Sequence, residues 1–263
     1  MSDDIILNVE NGIALITLNR PDKLNAFHLN MIDNWIESFK KCVLDDSIKV
    51  IVITGRGKAF CAGGDIKELM GARSDLGPEA RRVELTQHVH KLVQSFLSTD
   101  KPIISAINGV ATGAGLDLAL YSDLRFAAES AKFAETYVNV GLIPGAGGAW
   151  MLPRIVGRSK ALELFWTARF FDANEAKELR IINDIFSDEA LLSKTMKIAQ
   201  DLTEKPQSSI RAIKRAIIYG EQSDLPTALD HIASTYGVIA SGSDHLEAIN
   251  AFIEKRKPNF KEN

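Results

Sequence analysis

The sequence predicts an α/β fold, and three features of its 263 residues indicate this class. Short β-branched runs alternate with amphipathic helical segments along the first half. A strand, a turn and a helix recur in that order without a repeat of residue identity, which predicts a wound core of similar modules. From about Ser159 onward, helical patterns replace the strands. We therefore divide the chain into a core at 1–200 and a C-terminal helical region at 201–263, acting as one functional unit.

A β-hairpin is predicted at the start of the chain. The runs at 5–9 and 13–18 have strand character and are joined by Asn11-Gly12, two residues that tolerate positive φ. Apolar residues at helical spacing then predict a helix at 29–43 with one buried face. The continuous apolar run at 50–54 predicts a strand covered on both faces.

Similar signals continue toward the C-terminus. They predict a helix at 83–97, a strand at 103–107, a helix at 115–120 and a strand at 124–127. Asp172 with Glu175, and Asp244 with Glu247, have the spacing of capping boxes, and Pro206 is typical of a helix start. The apolar residues of the last helices are suited either to the core or to a subunit interface: Ile210, Ile213, Ile217, Leu229 and Ile232.

Composition excludes several classes of protein. With 46% hydrophobic and 25% charged residues, the chain resembles an average globular protein rather than a disordered or collagenous one. Its net charge of -3 gives no overall attraction to nucleic acid or to an anionic membrane, so we expect neither as a partner. No apolar run reaches the roughly 20 residues of a membrane span. Cys42 and Cys61 are expected to be reduced and buried, as in a cytoplasmic protein.

Two glycine-rich turns stand where a strand ends and a helix begins. Residues 58–66 read KAFCAGGDI, and residues 108–117 read NGVATGAGLD. Backbone N–H groups at such turns lack internal partners, so two of them together are suited to an oxyanion hole. The alternative is an ordinary tight connection that packs a helix onto a strand. Neither turn matches a dinucleotide fingerprint or a P-loop.

Asp117 is the most informative ionisable residue, because it lies between Leu116 and Leu118 in an apolar helix. Burial would raise its pKa toward the range of a general base, whereas the nearby helix N-terminus would lower it. The alternative is a first-turn aspartate that only complements the helix dipole. The five histidines show neither metal-ligand spacing nor a nucleophile partner, and we expect no metal site.

Several motifs, read together, carry a family resemblance over nearly the whole chain. They are Asn19-Arg20-Pro21 with Asn25-Ala26, the Ala-Phe-Cys-Ala-Gly-Gly-Asp-Ile turn, Asn108-Gly109 with its Gly-Ala-Gly turn, Gly141-Leu142-Ile143-Pro144-Gly145-Ala146-Gly147-Gly148, and the run from Phe252 to Lys261. In this order and spacing they resemble the enoyl-CoA hydratase/isomerase, or crotonase, family. The resemblance implies a spiral of strand-strand-helix units with a C-terminal helical region that forms trimers, often stacked into hexamers.

The resemblance also implies an acyl-CoA thioester as the substrate and an enolate as the intermediate. By motif position, the oxyanion would be held by the backbone N–H groups of Gly64 and Ala114, and Asp117 would be the acid/base. No cofactor is expected beyond the coenzyme A that the substrate carries. The implied coenzyme A contacts are Lys23, Leu24, Ala26, Ala62, Asp65, Ile66, Phe252 and Lys255.

The chain departs from the resemblance at the two glutamates that hydratases of this family usually carry. Asp117 stands at the first position and Tyr137 at the second. A single carboxylate suffices for double-bond isomerisation, whereas adding water is helped by two. If residues 135–137 are extended, Glu135 would share a face with Tyr137 and could restore the second carboxyl, although we expect Glu135 to be a surface residue. Hydration and isomerisation both stay open, with Tyr137 and Glu135 as auxiliary groups.

Other functions remain possible from the sequence. They are hydrolysis of an acyl-CoA on the same scaffold, and a CoA-binding or RNA-associated protein without catalysis, although no basic face supports RNA. We expect the segment of about 71–82 to control acyl preference, because its Gly, Ser and Pro content is typical of a variable connection.

Overall fold

Two β-sheets organise the fold in the computed structural model, which describes residues 4–69 and 76–260. The strands, in chain order, are β1 (Ile5–Glu10), β2 (Ile13–Leu18), β3 (Val50–Gly55), β4 (Ala59–Cys61), β5 (Ile103–Ile107), β6 (Val110–Thr112), β7 (Leu124–Ala128), β8 (Lys132–Ala134), β9 (Phe171–Asp172) and β10 (Asp184–Phe186). The larger sheet has the order β1-β2-β3-β5-β7-β10, and the smaller has the order β4-β6-β8-β9. The predicted α/β class is confirmed.

Successive passes of the chain each contribute one strand to each sheet. β3 is followed by β4, β5 by β6, and β7 by β8, and within each sheet these neighbours pair in parallel. Along the larger sheet, Val52 lies beside Ile104, which in turn lies beside Leu124. A chain that alternates between two sheets while advancing one strand per pass is a spiral of strand-strand-helix units, as expected.

The opening hairpin matches the prediction. β1 and β2 pair antiparallel, with Ile5 opposite Leu18. Asn11 and Gly12 have φ values of 52° and 78°, the left-handed geometry of a tight hairpin turn. β2 then pairs in parallel with β3, so that the hairpin extends the larger sheet.

Helices cover the sheets and form the C-terminal part. They are α1 (Leu29–Leu44), α2 (Ile66–Leu69), α3 (Pro78–Glu84), α4 (His90–Leu97), α5 (Ala114–Leu120), α6 (Gly148–Val156), α7 (Arg158–Thr167), α8 (Ala173–Glu178), α9 (Leu191–Thr203), α10 (Gln207–Gly220), α11 (Leu225–Ala240) and α12 (Ser243–Ile253). No helix within the described ranges is long and apolar enough to cross a membrane.

Two helical predictions need correction. The helix predicted at 83–97 begins earlier, at Pro78, and contains a π-helical turn at Leu85–Val89 between α3 and α4. Asp244 lies inside α12, which begins after Gly242, so it is not the cap of that helix. By contrast, Asp172 caps α8 as predicted, with its carboxylate accepting the Glu175 N–H at 3.0 Å.

The core forms on both faces of the larger sheet. On one face, Trp35, Phe39 and Phe96 from α1 and α4 pack together, with the Phe39 and Phe96 ring centroids 4.6 Å apart. On the other face, α9 covers a smaller cluster that includes Val52 and Ile104. Both cysteines are free and buried, as expected. The core thus packs on the sheet that contains β3 and β5, from which the chain continues into β4 and β6 and their glycine turns.

Candidate active site

The first glycine turn leaves β4 and runs beside Phe27. The Phe27 N–H donates to Gly63 O at 2.8 Å, and the Asp65 N–H donates to Phe27 O at 2.8 Å. These two bonds flank Gly64 in a parallel bridge, so the N–H of Gly64 points away from Phe27. Among residues 4–69 and 76–260 this N–H has no acceptor, and Gly64 is partly exposed whereas its neighbours Gly63 and Asp65 are buried.

The second glycine turn joins β6 to α5. Gly113 has a φ of 50°, which favours glycine, and Ala114 is the first residue of the helix. The N–H of a first helical residue has no acceptor within its helix. No other acceptor for the Ala114 N–H exists in the described part of the chain, and Ala114 is partly exposed. Each turn thus presents one unpaired backbone donor.

The two turns touch each other so closely that only glycine fits between them. A Cβ atom on Gly63 would lie 3.0 Å from Thr112 O and 3.3 Å from the backbone nitrogen of Ala114. A Cβ atom on Gly115 would lie 2.1 Å from Cys61 O. This packing places the backbone nitrogen of Ala114 against the turn that carries Gly64. Two unpaired amides on adjoining turns are the kind of donor that an oxyanion hole uses.

Asp117 lies one turn into α5, directly behind the Ala114 amide. Its side chain is fully buried. The Tyr137 hydroxyl donates to Asp117 Oδ2 at 2.5 Å. Burial raises the pKa of Asp117 to about 7, while the Tyr137 hydroxyl and then the Gly148 amide act to lower it. The direction of the Asp117 pKa shift, which the sequence left open, is therefore upward because burial dominates. A group with this pKa exchanges protons near neutral pH.

The start of α6 lies against Asp117. Gly148 approaches so closely that a Cβ atom there would be 1.7 Å from Asp117 Oδ1. The preceding Gly147, with a φ of 86°, receives a hydrogen bond on its carbonyl from the Tyr121 hydroxyl at 3.3 Å. Tyr121 follows Asp117 by four residues and so shares its face of the helix. The sequence analysis did not predict this contact. The Gly147-Gly148 pair and the four-residue spacing of Asp117 and Tyr121 were the signals that could have indicated it.

Glu135 corrects an expectation from the sequence. We expected a surface glutamate, but its side chain is fully buried. The segment is also not extended, because a 3-10 helix runs over Thr136–Val140, with Glu135 as its N-cap. Burial first, and then the negative charge of Asp117, raise the pKa of Glu135 well above its usual range. Asp117, Glu135 and Tyr137 therefore meet in one buried cluster.

Tyr137 acts as a hydrogen-bond donor rather than as a base. Burial and the neighbouring Asp117 charge raise the pKa of its hydroxyl well above the usual value. A phenol in this state keeps its proton at neutral pH, which agrees with its donation to Asp117.

Several of the expected coenzyme A contacts lie beside the first glycine turn. The Ala62 N–H donates to Leu24 O at 3.0 Å, which holds Lys23, Leu24 and Ala26 next to this turn. Lys23, Leu24 and Ile66 are exposed. Asp65 is buried, and its carboxylate pairs with Arg20 at 3.4 Å and accepts the N–H of Lys67 at 3.2 Å. Its role at coenzyme A stays a prediction.

Two further expectations concern more distant parts of the chain. Phe252 is 84% exposed on α12, which packs against α11, and Lys255 follows that helix with a φ of 54°. Their role at coenzyme A stays a prediction. Of the segment at about 71–82, residues 71–75 lie outside the described residues, whereas Leu76 and Ala80 border a cavity of about 710 Å³ together with Leu29. Its control of acyl preference also stays a prediction.

The described ranges contain no group of three His, Cys, Asp or Glu side chains placed to hold a metal ion. The site itself offers two backbone donors, a buried carboxyl pair and a phenol. Such a set can hold a developing oxyanion while a carboxylate moves a proton.

Comparison with known proteins identifies the class. The family model described as enoyl-CoA hydratase/isomerase matches residues 8–263. The chain is 36% identical over 264 residues to the 1,2-epoxyphenylacetyl-CoA isomerase of Escherichia coli K12, covering 99% of each chain. It is 35% identical to the crotonyl-CoA hydratase of Syntrophomonas wolfei, covering 98% of each.

A solved structure of similar sequence supports the same class. The enoyl-CoA hydratase from Bacillus anthracis superposes with a TM-score of 0.93 at 33% identity, covering 99% of this chain and 100% of that one. The fold is thus the crotonase fold, and the chain belongs to the enoyl-CoA hydratase/isomerase family. The prediction of an acyl-CoA enzyme of the lyase or isomerase type is confirmed over the hydrolytic and non-catalytic alternatives.

Substituting Gly148 by alanine tests the close contact between α6 and Asp117. We expect Gly148→Ala to lower the free energy of unfolding by about 1–3 kcal/mol, because the added methyl group overlaps the Asp117 carboxyl group. Gly220→Ala is the control, since a Cβ atom there meets nothing within 4 Å. Urea unfolding measures both. Equal stability of the two variants would contradict the contact.

Proposed function

We propose that this chain is an enoyl-CoA isomerase that moves a double bond along an acyl-CoA thioester, with Asp117 as the acid/base. The observation that carries this proposal is one buried carboxyl group with a pKa of about 7, placed one helical turn behind an unpaired backbone donor. A shift of a double bond needs one group that removes and returns a proton, and donors for the thioester oxygen. The Escherichia coli relative is named for isomerising an epoxide of an acyl-CoA, which supports an isomerisation on an acyl-CoA but not the shift of a double bond in particular.

In the proposed reaction, the amides of Gly64 and Ala114 bind the thioester oxygen of a 3-enoyl-CoA. Asp117 removes a proton from Cα, and the electron pair of the broken C–H bond moves into a dienolate whose oxygen the two amides stabilise. Asp117 then delivers the proton to Cγ, which leaves a 2-enoyl-CoA and restores the carboxylate. No water is consumed, and no cofactor is needed beyond the coenzyme A of the substrate.

Hydration of a 2-enoyl-CoA is the second candidate function. It is favoured by the burial of Glu135 beside Asp117, which supplies a second carboxyl group, and by the hydratase name of the Syntrophomonas wolfei relative. Against it, the Tyr137 hydroxyl already occupies one of the two Asp117 oxygens on which a water could be oriented, Oδ2. Isomerisation requires no such water.

Substrate binding, assembly and location complete the proposal. The contacts to coenzyme A are assigned to Lys23, Leu24, Ala26, Ala62, Asp65, Ile66, Phe252 and Lys255, supported by the Leu24–Ala62 hydrogen bond for the first group. A homotrimer or hexamer is supported by large apolar side chains exposed on the C-terminal helices, including Leu229, Tyr236 and Val238. A cytoplasmic location is supported by the two free, buried cysteines.

The role of Asp117 is tested with 3-enoyl-CoA and 2-enoyl-CoA thioesters in heavy-oxygen water, followed by mass spectrometry. We expect a shifted double bond without incorporated oxygen, and a loss of about 10²- to 10⁴-fold in kcat for Asp117→Asn, because an amide cannot take up the proton. Asp201→Asn, on an exposed aspartate paired with Lys197, is the control. Heavy oxygen in the acyl product would establish hydration instead, and unchanged turnover by Asp117→Asn would remove Asp117 from the mechanism.

The backbone donor of Ala114 can be deleted without changing a side-chain functional group. Ala114→Pro removes the N–H at the first position of a helix, where proline is tolerated. We expect kcat/KM to fall by about 10²- to 10³-fold, and the melting temperature measures how far the ring carbon on this nitrogen displaces the adjoining Gly63 turn. Ser243→Pro is matched, since Ser243 also begins a helix after a glycine. Turnover equal to that of Ser243→Pro would exclude Ala114 from the oxyanion hole.

Assembly is tested on the exposed apolar face of α11. Leu229 and Tyr236 are 54% and 70% exposed and lie seven residues apart, on one side of the helix. We expect Leu229→Glu combined with Tyr236→Glu to reduce the mass seen by analytical ultracentrifugation to that of a monomer, because charges would be buried in the interface. Leu44→Glu, at a leucine that is 73% exposed on α1, should leave the assembly intact. A monomeric wild type would refute the proposal.

A further inference from the structure

The buried cluster behind the glycine turns contains three carboxyl oxygens without a donor. They are Asp117 Oδ1 and both oxygens of Glu135. No N–H or hydroxyl group in the described part of the chain makes a well-formed hydrogen bond to any of them, although the Gly148 amide lies close to Asp117. Buried acceptors are normally satisfied, so three orphan oxygens in one cluster require a physical explanation.

Neither carboxyl group has a cationic partner that would allow both to ionise. Within residues 4–69 and 76–260, the groups that act on the pair are Tyr137, the Gly148 amide and, on the far side of Asp117, the Tyr121 hydroxyl. Arg154 acts on a neighbour of this cluster, Tyr121, whose pKa its charge lowers. Two negative charges in one buried site repel strongly, and one carboxyl group then keeps its proton.

A retained proton also explains the orphan oxygens. A protonated carboxyl group is a hydrogen-bond donor, whereas an ionised one only accepts. Asp117 Oδ2 already accepts from Tyr137, so Oδ1 is the acceptor left for a proton on Glu135. Asp117 and Glu135 each shift the pKa of the other, and Asp117 is the member of the pair with additional donors, which favours the negative charge there.

We propose that Glu135 keeps its proton while Asp117 is ionised, and that Glu135 is a positioning residue that donates this proton in a hydrogen bond to Asp117. The ionised Asp117 is then held on one oxygen by Tyr137 and on the other by Glu135, with one negative charge for the pair. During proton transfer, Asp117 takes the substrate proton and returns it, whereas the proton of Glu135 stays in place. The positioning role of Glu135 in catalysis rests on the proposed function. The retained proton and its hydrogen bond to Asp117 do not.

The kinetic test compares two substitutions that differ only in the donor they leave. Glu135→Gln keeps a neutral donor of the same length, and Glu135→Met removes it. In the wild type, kcat/KM should rise with pH through about 7, because Asp117 must lose its proton to act as a base. We expect Glu135→Gln to keep this acid limb at the wild-type pH. Glu135→Met should move the limb upward by about one unit, which is an approximately tenfold loss of kcat/KM at pH values well below the limb.

Either of two kinetic results would overturn the inference. An acid limb lowered by about one unit in Glu135→Gln would show that the wild-type glutamate is charged and repels the Asp117 carboxylate. Identical pH profiles for Glu135→Gln and Glu135→Met would show that Glu135 donates nothing. If Glu135→Met does not fold, the Glu135→Gln profile still decides the charge.

A spectroscopic arm does not depend on turnover. At pH about 8.5, where Asp117 is ionised, the infrared spectrum of the wild type should retain a band of a protonated carboxylic acid, and Glu135→Gln should lose it. Asp244→Asn, which changes another buried carboxyl group, should leave that band. Absence of the band in the wild type would refute the retained proton even if every thioester is isomerised. If the band is present but the protein turns over no enoyl-CoA, the proposed function fails and the retained proton on Glu135 still stands.

Discussion

The site depends on the close packing of two backbone turns. The Cα of Gly115 lies so near Cys61 O, and that of Gly63 so near the Ala114 nitrogen, that a side chain at either position would force the turns apart. The parallel pairing of β4 with β6 sets this distance, and the larger sheet fixes where both strands leave the core. Since the donors are main-chain N–H groups, the fold sets their orientation. Side-chain substitutions therefore alter them less than they would alter a site built from side chains.

The second requirement of the proposed site is a carboxyl group whose pKa is raised by burial but which still ionises near neutral pH. Complete burial raises the pKa of Asp117, and isolated burial would keep it protonated at neutral pH. The Tyr137 hydroxyl and the Gly148 amide act in the opposite direction, so that the pKa is about 7. The pKa of Asp117 therefore reflects two opposing effects, desolvation and hydrogen-bond donation. Both donors, the Tyr137 hydroxyl and the Gly148 amide, lie on segments distant in sequence from α5.

Features that depend on interactions between residues close in sequence could be predicted, whereas features that depend on tertiary packing could not. The Asn11-Gly12 hairpin, the buried strand β3 and the helix α1 depend on local conformation and periodic hydrophobicity, and all three are present. The glycine turns could be recognised because unusual φ values and close approach demand glycine. The state of Asp117 could not, because burial and a helix terminus act on its pKa with opposite sign and only packing decides which dominates.

Glu135 shows the same limit more sharply. Its position two residues before Tyr137 suggested a shared face only if the segment were extended, yet the chain forms a 3-10 helix there and still buries the carboxyl group. The expectation of a surface glutamate is wrong, and the extended segment through which Glu135 was to share a face with Tyr137 does not form. The π-helical turn at Leu85–Val89 and the Tyr121–Gly147 contact likewise depend on segments that meet only in three dimensions.

One scaffold of this kind can support several reactions, and the side chains behind the oxyanion hole select among them. In the proposed reaction, the amides of Gly64 and Ala114 would stabilise an enolate regardless of where the proton goes next. Adding water requires that a solvent molecule be held and activated, whereas moving a double bond requires no solvent molecule at the base. A phenol on one oxygen of Asp117 and a buried, protonated glutamate on the other would leave the base without a bound water. The same groups that tune the pKa of Asp117 would then also favour isomerisation over hydration.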